Sequence, residues 1–136
     1  DLHTLPEVLK DKVFLIDKAP HIWLFPKCSS IIHHGGAGTT HEALRWGKPS
    51  LVCPVFADQP FWGQRVHAAG AGPAPISQKK LTTDLLVKAL YALDAPAYAM
   101  GAKAAAGIMA LEPGAEGAAE EIMSRVPAVR ARAKSA

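Results

Sequence analysis

Short apolar runs alternate with amphipathic stretches along most of the chain. "KVFLID", residues 12–17, is an apolar run closed by an acid and predicts a buried strand. Pro20 and Pro26 bracket the next segment. Between two prolines there is room only for a short helix or turn. "SSIIH" predicts a second buried strand and "PSLVCPV" a third. Between them, "GTTHEALRWG" predicts a helix from about Thr39 to Trp46, stopped at Gly47 with Pro49 beyond. "DQPFWGQRVHAAGAG" predicts a helix from about Pro60 to Ala69, with proline at its start and Gly70 and Gly72 at its end. "GPAPI" reads as a fourth extended segment.

The remainder is helical. "LTTDLLVKALYAL" offers Thr82 or Thr83 as N-cap, then Leu85, Leu86, Ala89, Leu90 and Leu93 at helical spacing. "APAYAMGAKAAAGIMAL" predicts an Ala-rich helix that Gly101 and Gly107 weaken. "EPG" breaks it, and "AEGAAEEIMSRV" predicts a last helix. Short buried strands alternating with helices predict an α/β fold, a parallel sheet with helices on both faces.

Composition changes this picture little. With 136 residues and 49% hydrophobic content, one domain with a core is expected. Lys and Arg exceed Asp and Glu by 15 to 12, a scattered excess that does not argue for a nucleic acid partner. Residues 127–136 form a basic tail that reads as solvated; the sharper alternative is attraction to an anionic membrane surface. Cys28 and Cys53 have no metal-ligand spacing and read as small buried hydrophobes. That fits a reducing compartment, so a cytoplasmic location with peripheral membrane contact is the expectation. The chain opens on Asp, not Met, and reads as a fragment.

The chemistry concentrates where "SSIIHH" meets "GGAG". A strand, a glycine turn and a helix make an anion site, because helix N-termini leave N–H groups unpaired and carry partial positive charge. Gly35, Gly36 and Gly38 let a phosphate approach the backbone. Thr39 and Thr40 add hydroxyls, and His34 stands at the strand's carboxyl end, where open parallel sheets bind ligands. Glu42, one turn into the helix, would repel phosphate and suits a diol such as ribose. The bland alternative is a structural glycine turn. His33 and His34 point to opposite faces of a strand and do not easily share a metal ion. Asp58 and Gln59 accept and donate hydrogen bonds as sugar hydroxyls require, while Asp58 also suits an N-cap.

"HHGGAGTTHEAL", "GKPSLVCPVFADQPFWGQRV" and "GAGPAPI" together resemble the donor-binding half of GT-B glycosyltransferases of the UDP-glycosyltransferase superfamily. "APHIWLFPKCSSIIHHGGAGTT" and "DQPFWGQRVHAAGAGPAPI" are similar to the sterol 3-beta-glucosyltransferases within it. The resemblance runs from about Val13 to Val126 and is most specific from His21 to Ile76. It implies a Rossmann-like sheet and transfer of glucose from UDP-glucose to a sterol 3-hydroxyl, with inversion and no cofactor or metal. Another lipid or natural-product acceptor, or a non-catalytic nucleotide-sugar-binding subunit, is the alternative.

By position, the resemblance places the diphosphate against His34, Gly36, Gly38 and Thr39. It places ribose on Glu42, glucose on Asp58 and Gln59, and uridine at Ala19, His21 and Trp23. Plant members stack a tryptophan on uracil where this chain has Lys18. Trp23 either replaces that ring or belongs to the core, the core being the favoured reading. Residues 1–126 are expected to form the UDP-sugar-binding domain, without its first strands and without the acceptor domain. That missing acceptor domain would carry the catalytic histidine and the sterol site, so no catalytic residue is expected here.

Overall fold

The computed structural model describes residues 6–126, and the basic tail lies outside them. Two three-residue strands, β1 (Ile31–His33) and β2 (Ser50–Val52), pair in parallel, with Ile31 opposite Ser50 and His33 opposite Val52. Two short helices, α1 (Glu7–Lys10) and α2 (His21–Leu24), precede them. A 3-10 turn over Phe25–Lys27 follows α2. Helix α3 (Ala37–Arg45) connects the strands, and α4 (Gln59–Ala68) follows β2. Helices α5 (Thr83–Leu93), α6 (Pro96–Met109) and α7 (Gly114–Arg125) complete the described chain.

β2 is buried throughout and is the centre of packing. Successive strand residues face opposite sides. Leu51 packs with Ala89 and Leu93 of α5, while Val52 packs with Val66 of α4, Ala71 and Ala102 of α6. Helices therefore cover both faces, as the pattern predicts. Phe25 and Ile31 enclose Ala43 of α3 in a further cluster, with Cys28 against it. Cys53 is half-buried beside the Leu51 cluster, and burial pushes its thiol pKa up.

Two predicted strands are not formed. Residues 12–17 have no regular structure, and Val13, Phe14, Leu15 and Ile16 are 38%, 86%, 60% and 46% exposed. A strand exists only against a neighbour that takes its hydrogen bonds, and among the described residues none pairs with the outer edge of β1. Residues 72–76 do lie along β2, irregularly. Ser50 N–H donates to Ala71 O at 2.9 Å. In that register the next donors would be Pro73 and Pro75, which have no N–H. The chain slips by one residue, and Ile76 N–H donates to Val52 O at 3.1 Å.

Helix ends follow their local signals. Gly47 and Gly70 adopt φ of 61° and 64° just past α3 and α4, where a left-handed residue ends a helix without strain. Thr82 caps α5, its hydroxyl accepting from Leu85 N–H at 3.3 Å. Gly101 does not break α6. A Cβ there would lie 2.1 Å from Gly70 O, so the glycine is what lets α6 lie against the end of α4.

Candidate functional site

The chain leaves β1 through a turn that needs its glycines for different reasons. Gly35 has φ +92°, and a Cβ on it would lie 2.6 Å from Val52 Cγ1 and 2.9 Å from Gln59 O. It seats the turn against the start of α4. Gly36 occupies the N-cap position of α3 with extended backbone. A Cβ there would meet His34 Nε2 at 2.5 Å, so its absence lets the His34 ring fold over the turn. Gly38 has open space around it, with nothing within 4 Å of a Cβ.

No side chain caps α3. Thr40 N–H bonds back to Gly36 O at 2.9 Å, so the N–H groups of Ala37, Gly38 and Thr39 precede the helical ladder. They form an open positive end at the carboxyl side of β1, beside an exposed His34. Thr39 is half-buried here. Thr40 differs from expectation: it is 1% exposed and its hydroxyl donates to Gly36 O at 2.9 Å. Its hydroxyl is spent on the helix, not offered to a ligand.

Two carboxylates stand further along, Glu42 within α3 and Asp58 at the start of α4. Glu42 Oε1 accepts from Trp46 Nε1 at 2.7 Å, and its Oε2 lies 3.9 Å from Arg45 Nε. Asp58 stands at the N-cap position of α4 but makes no cap bond; its Oδ2 accepts from Trp62 Nε1 at 2.8 Å. Asp58 thus holds the predicted N-cap position without capping: its side chain bonds the indole and stays exposed. Gln59 is buried, and its Oε1 accepts from Val55 N–H at 2.8 Å and Phe56 N–H at 3.2 Å. Those bonds hold the Val55–Asp58 loop, where Ala57 takes the left-handed φ of 57°. The Gln59 carbonyl oxygen is thus engaged by the loop backbone.

The residues expected at the base are arranged otherwise. His21 stacks on Phe25 with ring centroids 4.4 Å apart and 14° between planes. Trp23 is 54% exposed, which corrects the core reading. Lys27 Nζ donates to the Trp23 carbonyl at 2.9 Å and sits 4.3 Å from the ring centroid. A ring so held lies on the surface because α2 spans a single turn and faces α3 through Leu24 and Phe25. Ala19 is half-buried just ahead of α2.

His33 has a structural part that the sequence reading missed. Its Nδ1 accepts from Gly35 N–H at 3.0 Å, which builds the turn, and its buried Nε2 has no partner. Burial, then the neighbouring His34 and His21, lower its pKa from 6.5 to about 4. The folded protein therefore refuses a proton that the unfolded chain accepts. Stability is full above pH 6.5 and falls as pH drops towards about 4. The loss from this group reaches about 3 kcal/mol. His33→Asn keeps an acceptor for Gly35 N–H and does not titrate. Urea midpoints should fall less steeply with acid in that variant; parallel curves for variant and parent would refute the assignment.

His34, Gly36, Gly38 and Thr39 thus follow the carboxyl end of β1, Asp58 and Gln59 follow β2 at the start of α4, against which Gly35 packs, and Glu42 is the sixth residue of α3. The His41 and Trp62 rings meet edge to face at 4.7 Å and join α3 to the first turn of α4. From the sequence, Trp46 is legible only as a helix end, and Trp62 has no assigned part. The signal that could have found them is their spacing, four residues after an acid on the same helix. Among the described residues no group of three or more His, Cys, Asp or Glu is placed to hold a metal, and no helix is long and apolar enough to cross a membrane.

This fold, with an uncapped helix end at the carboxyl side of a parallel sheet, is that of the C-terminal domain of a GT-B glycosyltransferase. The chain belongs to the family of erythromycin biosynthesis protein CIII-like C-terminal domains, whose profile matches residues 1–127. It is 40% identical over 121 residues to the sterol 3-beta-glucosyltransferase UGT80A2 of Arabidopsis thaliana, covering 89% of this chain and 19% of that protein. The spinosyn forosaminyltransferase SpnP superposes with a TM-score of 0.76 at 26% identity, over 89% of this chain and 32% of SpnP. The glycosyltransferase VinC, solved in complex with dTDP, superposes with a TM-score of 0.62 at 33% identity, over 68% of this chain and 23% of VinC. The chain spans about a fifth of the length of the plant relative.

Proposed function

We propose that the chain is the donor-binding domain of a glycosyltransferase that moves glucose from UDP-glucose to the 3-hydroxyl of a sterol, with inversion. The observation that carries the donor reading is the open, uncapped N-terminus of α3 after β1, on a helix that also bears Glu42, with Asp58 at the start of the next helix. The helix end and His34 face the diphosphate and stabilise charge on the departing UDP; such preorganised donors act without reorganisation. Glu42 accepts from the ribose hydroxyls. Asp58 accepts from glucose hydroxyls, with the Gln59 amide beside it. The base that deprotonates the sterol belongs to the acceptor domain, so this chain supplies donor binding and leaving-group stabilisation. The sterol rests on the identity to the plant enzyme.

A second reading is supported by the likeness to VinC with dTDP and to SpnP: a deoxynucleotide sugar and a natural-product acceptor. Glu42 favours the first reading, since a deoxyribose offers it one hydroxyl fewer.

Isothermal titration with UDP, UDP-glucose and dTDP-glucose separates the two. UDP-glucose should bind tighter than dTDP-glucose. Asp58→Ala should weaken UDP-glucose by about ten-fold or more, as expected for a lost hydrogen bond to a charged group, and leave UDP nearly unchanged. Equal losses for UDP and UDP-glucose would make Asp58 a purely structural residue, and tighter binding of dTDP-glucose would favour the second reading.

A further inference from the structure

Glu42 and Asp58, assigned above to ribose and hexose, are held by the same device. In each, an indole N–H four residues further along the helix donates to one carboxylate oxygen: Trp46 Nε1 to Glu42 Oε1 at 2.7 Å, and Trp62 Nε1 to Asp58 Oδ2 at 2.8 Å. Indole is a donor only, so each ring takes acceptor capacity on a single carboxylate oxygen and offers the ligand no acceptor of its own. It takes up one oxygen and leaves the other, Glu42 Oε2 or Asp58 Oδ1, without a hydrogen bond among the described residues, Glu42 Oε2 having only the Arg45 guanidinium 3.9 Å away. A hydroxyl ligand is offered a carboxylate whose rotation is already restrained, and binding then costs less side-chain freedom.

The two devices differ in their surroundings. Trp62 is half-buried, and its ring meets His41 edge to face at 4.7 Å and Phe61 at 5.1 Å. His41 Nδ1 lies 2.7 Å from Ala37 O in the first turn of α3. The orientation of Asp58 is therefore tied through Trp62 to the helix that bears Glu42. Trp46 lies at the end of α3, 40% exposed, and among the described residues no comparable ring contact supports it.

We propose that Trp46 and Trp62 are positioning residues for donor recognition, Trp46 setting Glu42 for the ribose and Trp62 setting Asp58 for the hexose. This rests on the donor-site reading given above. Neither ring needs to touch the ligand; each acts through its acid.

The test uses the 136-residue chain and titrations with UDP, UDP-glucose and dTDP. Trp62→Phe keeps a ring against His41 and removes the N–H. It should weaken UDP-glucose about 3- to 10-fold and leave UDP unchanged. Trp46→Phe should weaken UDP and UDP-glucose by the same factor, about 3- to 10-fold, and narrow the preference for UDP over dTDP. The double variant Asp58→Ala/Trp62→Phe should lose no more than Asp58→Ala alone, because the indole acts only through that acid. A parent chain that binds none of the nucleotides overturns the donor-site reading itself. A parent that binds, with phenylalanine variants that bind like it, overturns the positioning roles alone. So does an equal loss of UDP and UDP-glucose in Trp62→Phe, or additive losses in the double variant.

Discussion

Gly38→Val leaves the chain folded and lowers its affinity for UDP by about 100-fold or more. Both halves of that expectation follow from the surroundings of Gly38. A Cβ there meets nothing within 4 Å, so the side chain displaces no protein atom. Gly38 is the second residue of α3, and its φ is not in the left-handed region. Valine is a better helix residue than glycine, so folding is unharmed or slightly favoured. The open space is where the diphosphate would lie against the first N–H groups of the helix. A branched side chain there holds the phosphate away from at least two charge-assisted hydrogen bonds, each worth about 1.5–3 kcal/mol. Titration with UDP, with circular dichroism as the fold control, measures both halves. A folded Gly38→Val chain that binds UDP like the parent places the phosphate elsewhere.

Gly72→Val has the opposite character, unfolding the chain before any ligand is added. A Cβ on Gly72 would lie 1.9 Å from Ser50 O and 3.0 Å from Ser50 C. Both atoms belong to the backbone of β2, which no rotamer change can move. Relief requires residues 71–78 to leave β2, with loss of the Ser50–Ala71 and Ile76–Val52 bonds. It also opens the cluster of Val52, Val66, Ala71 and Ala102. A cost of about 4 kcal/mol or more is expected, at the extreme of single substitutions. Gly107→Ala is the matched control, since a Cβ there has open space and α6 gains a better helix residue, worth up to about 1 kcal/mol. Urea unfolding of the variants gives the comparison. A Gly72→Val chain within about 1 kcal/mol of the parent would contradict the close approach.

Much of the donor turn was legible from residue order alone. Three glycines between an apolar run and a Thr-rich helix start announce an uncapped helix end, whatever surrounds it. Their separate reasons were not legible. Gly35 is required by a left-handed φ and by Val52 and Gln59; Gly36 by the His34 ring; Gly38 by nothing in the protein itself. Those distinctions depend on which atoms from distant segments lie beside each Cα. His33 was equally hidden. A histidine that accepts from its own turn looks, in sequence, like one that offers itself to a ligand.

The sequence by itself determined most of the helices, several of their ends and the place of the uncapped helix start after β1. Apolar spacing, the Thr82 cap and the glycines after α3 and α4 act over a few residues, and so survive any change in what packs against them. Tertiary structure alone decided which apolar runs became strands. Residues 12–17 are as apolar as β1, yet a strand is completed only by a neighbour's hydrogen bonds, and the pattern carries no record of that neighbour. It also decided how the polar residues are used. Thr40 and the Gln59 oxygen went to the backbone, while one oxygen of Glu42 and one of Asp58 went to an indole on the next turn. A side chain's partners are set by distance in space, and only the folded chain supplies that.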